Sequence, residues 1–95
     1  MQLTFTAPLC LHEGGSWHFV SVPLDLSDDL RDEVAGRTGG FGSVRVEARI
    51  GSTVWHTSVF PAKSGEYVLP VKQEVRRQQD LAEGVSATVH LQTLL

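Results

Sequence analysis

Basic side chains stand at two places in this chain where their spacing has chemical meaning. Lys72 and Arg76 are four residues apart, with Arg77 adjoining; on a helix they would project from successive turns. Arg45 and Arg49 flank Glu47, so a strand would carry all three on one face. Either set suits an anionic partner. Aromatic residues fall close by: Trp55, Phe60 and Tyr67, with Trp17 and Phe41 earlier. Apolar and aromatic walls with a few fixed polar groups are the usual lining of a small-molecule site. Arg45, Trp55, Ser58 and Lys72 are therefore the candidate ligand-binding set, with a small anionic ligand expected. The plainer reading is that most of the aromatics fill the core of a small domain. Trp55 is the one expected to be partly exposed, because the strand face it shares with Thr57 is mixed.

Lys72, Arg76 and Arg77 also suggest a second partner, a nucleic-acid backbone. Sequence-independent DNA binding of useful strength takes about 6–10 phosphate contacts, more than these residues supply unless a dimer doubles them. Glu74, Asp80 and Glu83 surround the cluster, and Asp25, Asp28, Asp29, Asp32 and Glu33 crowd an earlier segment. A solvated face of mixed charge is the favoured reading.

Catalytic patterns are thin. Ser58 lies in TSVFP, which lacks the G-x-S-x-G arrangement of a nucleophile elbow. A triad of Ser58, His56 or His18, and Asp25 can be drawn, as it can in most sequences of this size, so no catalytic residue is assigned and the chain leans away from enzymes. His12, His18, His56 and His90 are scattered, none at i, i+4 spacing, and Cys10 is the sole cysteine. No metal site, cofactor or internal disulfide is expected. The stretch GRTGGFGS (36–43) is glycine-rich and holds Arg37, but it precedes a strand and lacks the lysine of a P-loop. It reads as a mobile connection.

A chain of 95 residues makes one domain with one modest core, burying about 60–65% of its unfolded surface. Its net charge of −3 argues against coating nucleic acid or a membrane surface. One cysteine fits a reducing cytoplasm. No basic segment followed by an apolar run suggests a signal peptide, and no stretch nears the roughly 18 apolar residues of a membrane span.

The elements that must position these residues follow from alternation and punctuation. Strands are predicted over Gln2–Leu9, Trp17–Val22, Val44–Ile50, Thr53–Phe60, Glu66–Leu69 and Val85–Leu91, each with apolar residues at period two or a β-branched and aromatic run. Gly51-Ser52 reads as a two-residue hairpin turn. A helix after Pro23 has Ser27 as its expected N-cap and Leu26, Leu30 and Val34 as its apolar stripe, and Gly36 ends it. A second helix, Lys72–Leu81, has Val71, Val75 and Ala82 as its thin apolar side, and Gly84 ends it.

These elements fall into two halves of one order: strand, glycine loop, strand, proline, helix, glycine, strand. Pro23 is aligned with Pro70, Gly14-Gly15 with Gly65, Gly36 with Gly84, and Val44–Ile50 with Val85–Leu91. Phe5–Pro8 loosely echoes His56–Val59. Neither half can bury its apolar strand face alone, so closure of the two into a barrel is expected. The predicted fold is mainly β: a small double-split barrel of six or seven strands with two short helices and a pseudo-twofold repeat.

The unit LPVKQEVRRQQDLAEGVSATVHL resembles that of the double-split, swapped-hairpin barrels of AbrB/MazE type. SWHFVSVP, GGFGSVRVEARIG, TSVFPAKSGEYVLPVK and LAEGVSATVHL together resemble the bacterial domain of unknown function 1905, a family associated with proteins of the YdeI/OmpD-associated type, over nearly the whole chain. Gly84-Val85 departs from the glycine–aspartate that often precedes the last strand there. The resemblance implies a fold and supplies no chemistry. The expected role is a non-enzymatic accessory or small-ligand-binding module, monomeric or homodimeric, with an AbrB-like nucleic-acid-binding regulator as the alternative and an enzyme last.

Overall fold

The first strand, β1 (Gln2–Leu11), runs through the alternation expected of it and two residues further, burying Leu3, Phe5 and Leu9 on one face. The computed structural model describes residues 1–38 and 40–95; the glycine-rich connection over 36–43 includes Gly39, which lies outside the described residues. After β1 come β2 (His18–Ser21), α1 (Leu24–Glu33), β3 (Val44–Ile50), β4 (Thr53–Pro61), β5 (Tyr67–Pro70), α2 (Gln73–Gln78) and β6 (Ser86–Thr93). The strands close into a six-stranded barrel in the order β1-β2-β5-β4-β3-β6, with every neighbouring pair antiparallel. Closure leaves no open sheet edge. Among the described residues, no helix is long and apolar enough to cross a membrane.

Inward-facing residues of every strand meet in one core. Val44, Val46, Ala48 and Ile50 of β3 and Ala87, Val89 and Leu91 of β6 are all buried, as alternation requires. The β3–β4 hairpin turns at Gly51-Ser52, with Ile50 opposite Thr53. Gly51 holds φ at +58°, and a Cβ there would run into the Gln79 side chain. Glycine is favoured at that turn for its backbone, and a larger residue would also have to displace the end of the Gln79 side chain.

The helices depart from expectation at their ends. α1 begins three residues before Ser27, with Pro23 at the N-cap, where a missing N–H costs nothing. Ser27 is not a cap but a fully buried residue inside the helix. The buried stripe is Ser27, Leu30 and Val34, with Leu26 only half-buried. α2 is six residues long rather than reaching Leu81, and Val75 is its one buried residue. Ala82 is exposed, so nothing apolar rewards a further turn.

The two halves are related residue by residue. Exchanging β1 with β4, β2 with β5 and β3 with β6 returns the same set of neighbours around the barrel. Register obeys the same exchange. Phe5 opposite Val89 has its image in Trp55 opposite Ala48. Leu11 opposite His18 has its image in Pro61 opposite Tyr67. Val20 and Leu69 face one another and exchange with each other, so the axis passes between them. Where β2 and β5 leave the sheet, the Val22 amide donates to the Tyr67 carbonyl at 2.8 Å and the Val71 amide donates to the His18 carbonyl at 3.0 Å.

This register supports the predicted alignment of Val44–Ile50 with Val85–Leu91 and moves two other alignments. Pro23 is the image of Lys72, since both occupy helix N-caps, whereas Pro70 lies in the β2–β5 ladder opposite Phe19. A strand's last residue and a helix N-cap both tolerate proline, so the same residue type marks two different steps of one junction. Phe5 is the image of Trp55 rather than His56.

Candidate ligand-binding cleft

At one end of the barrel, the start of β2, the start of β4 and the β5–α2 junction converge around a cleft of about 270 Å³. Trp55 faces inward from β4 and forms its floor; it is part of the core and only 8% exposed. Trp17, just before β2, forms a wall. Its ring stacks on Phe19 with centroids 4.9 Å apart and leaves the indole 41% exposed. The sequence expectation is reversed for these two indoles, because Trp55 sits on the core-facing parity of β4 and Trp17 precedes the strand.

Polar groups reach the cleft from three directions. His18 is held by a 2.9 Å contact from Nδ1 to the Ser16 carbonyl. Arg76 donates its Nε to the Val71 carbonyl at 3.2 Å, which fixes a half-buried guanidinium against the wall. Lys72 lies at the α2 N-cap with its side chain in solvent. Thr57 and His56 line the β4 side, and His56 Nε2 lies 3.2 Å from a Glu47 carboxylate oxygen. The lining holds two cations and no carboxylate. Such a cleft favours an anion with a flat apolar body: cations in a partly dry site attract charge, and indole faces bury rings.

Of the residues singled out from sequence, the fold brings Trp55 and Lys72 together and adds Arg76 from the proposed nucleic-acid set. Arg45 and Ser58 lie elsewhere. They are opposite each other across β3 and β4, with Arg45 Nη1 3.4 Å from Ser58 Oγ. Strand alternation puts Ser58 on the outer face, opposite to that of Trp55. Arg77 turns to two shallow grooves, one shared with Arg76 and Asp80 and the other with Glu74. The Ser58 hydroxyl and the His56 imidazole are thus engaged with Arg45 and Glu47. Trp17 is one of the aromatics read from sequence as possible cleft lining, though outside the candidate set, and His18 is not read there as a binding residue. The register makes Tyr67 the image of His18, so an imidazole here stands for a buried tyrosine there.

The described residues include no cluster of three or more metal-ligating side chains. His12 makes an edge contact with Trp17, and His90 Nδ1 lies 3.1 Å from Thr4 Oγ1.

No curated protein matches the chain. A family model matches residues 5–91, a span that starts at the Phe5 image of Trp55 and takes in most or all of each of the six strands, and on that match the chain belongs to the family described as Domain of unknown function (DUF1905).

Proposed function

We propose that the chain is a cytoplasmic, non-enzymatic binding module for a small anionic ligand, held in the cleft between Trp17, Trp55, His18, Lys72 and Arg76. One observation carries the reading. Both tryptophans of the chain line a single cleft, together with two cations and no carboxylate. The cleft lies just below the roughly 300–1,000 Å³ typical of drug-sized ligand sites, which favours a metabolite-sized occupant. The nucleic-acid reading draws less support, because the groove that Arg76 and Arg77 share also holds Asp80, and Glu74 lines the adjoining grooves with Arg77 and with Lys72.

Tryptophan fluorescence reads this cleft directly, since the chain has no other indoles. A panel of small carboxylates and phosphates, followed by fluorescence and by thermal shift, is expected to give saturable changes with at least one class. Lys72→Ala should weaken that binding by about tenfold, the loss of one charge-assisted contact. A protein silent to the whole panel by both measurements would rule the reading out.

A further inference from the structure

The pseudo-twofold relation supplies a reference for the cleft within the same molecule. Exchange of the halves carries His18 to Tyr67, Trp55 to Phe5, Val71 to Val22 and Arg76 to Ser27. At the image site this place is filled. Tyr67 is 2% exposed and Ser27 is fully buried. The Tyr67 amide donates to Ser27 Oγ at 2.9 Å, and the Ser27 hydroxyl donates to the Val22 carbonyl at 3.0 Å. The Arg31 guanidinium lies 5.4 Å from the Tyr67 ring centroid, over its face. At the cleft an imidazole stands for the phenol ring and a guanidinium for the hydroxyl. Arg76 Nε bonds the Val71 carbonyl as Ser27 Oγ bonds the Val22 carbonyl. The cap on the carbonyl is kept, the hydroxyl that receives the amide has no counterpart because a guanidinium only donates, and the ring that would seal the end is replaced by a smaller one.

We infer that the cleft takes a planar aromatic carboxylate, a single or fused ring bearing one acid group. The inference rests on the binding reading above and names its ligand class. The ligand's ring lies against the Trp55 and Trp17 indoles, beside the His18 imidazole that stands where the image site has the larger Tyr67 ring. Its carboxylate meets Arg76, whose Nε is committed to Val71 and whose terminal nitrogens form the fork that suits a carboxylate. Lys72 adds a solvent-side charge. His18 is the residue that keeps the cleft open, and it sets specificity by leaving room for a ring.

The test compares benzoate and indole-3-carboxylate with cyclohexanecarboxylate, which keeps the acid without the π face, and with benzyl alcohol, which keeps the ring without the charge. Tryptophan fluorescence and calorimetry are used on the intact chain. The aromatic acids are expected to bind about tenfold more tightly than either control, the scale of one good aromatic contact. His18→Tyr is expected to abolish binding with an unchanged or raised melting temperature, and His18→Phe to do the same if the tyrosine variant fails to fold. Equal binding of benzoate and cyclohexanecarboxylate would overturn the aromatic inference while leaving the anion-binding reading intact. Undiminished binding by folded His18→Tyr or His18→Phe would overturn the sealing argument. Silence toward these acids together with response to another anion class removes this inference alone, and silence toward every anion removes both.

Discussion

Ser27 is the one fully buried polar side chain among the described residues, and both of its hydrogen-bonding roles are used. Its hydroxyl ties the end of β2 to the start of β5 through Val22 and Tyr67. Ser27→Ala leaves the Tyr67 amide and the Val22 carbonyl to lose a partner inside the protein, and should cost about 1–3 kcal/mol. A shifted urea midpoint at constant slope would register this; a midpoint unchanged from the parent protein would mean that the hydroxyl is dispensable. The sequence signals a helix start at Ser27 because serine ahead of two aspartates is a common N-cap pattern. Its hydroxyl instead bonds the Val22 carbonyl five residues back and the amide of a strand forty residues on, and local pattern carries no trace of the second. Trp55 shows the same limit. Thr57 makes its face read as mixed, but that face points into the barrel and Thr57 lines the cleft that Trp55 floors.

At the scale of elements, the two helices are images of one another with unequal anchoring. α1 buries Ser27 and Leu30, followed at its end by Val34, while α2 buries only Val75. α2 also carries the cleft's cations, Lys72 at its N-cap and Arg76 in its last turn. Local opening follows the amount of buried apolar contact, so α2 amides should exchange with solvent faster than those of α1, as hydrogen-exchange mass spectrometry or NMR would measure. Equal protection of the two helices would contradict the packing described. The strands were legible because alternation is a local property: β3 shows Val44, Val46, Ala48 and Ile50 inward, as its period predicts. Helix lengths were less so. The extent of α2 is set by what the barrel offers it to pack on, and propensity alone extends it to Leu81.

For the whole molecule, the decisive feature is that the halves are interleaved. Of the six ladders, only β1–β2 and β4–β5 join strands of one half. The β1–β6, β2–β5, β3–β4 and β3–β6 ladders all cross between halves. Residues 1–51 or 52–95 alone therefore keep one hairpin each, too little for independent stability. Each fragment is expected to give an unfolded circular-dichroism spectrum, and the mixture to recover strand signal. A folded single half would contradict this interdependence. The repeat was visible in sequence through the recurrence of strand, helix and glycine, and its register was not, because the glycine loops between β1 and β2 and between β4 and β5 differ in length. That shift hid the pairing of Phe5 with Trp55 and of His18 with Tyr67, and with it the asymmetry that opens one end.

The central claim, a near-symmetric barrel sealed by Tyr67 at one end and open beside His18 at the other, is tested most directly by a ¹H–¹⁵N NMR titration with benzoate. Both indole N–H signals and the amides of Thr57, Val71 and Lys72 are expected to move together and saturate, while the Ser27 and Tyr67 amides stay in place. Equal movement at both ends, or saturable shifts confined to the outer face around Arg45 and Ser58, would contradict it.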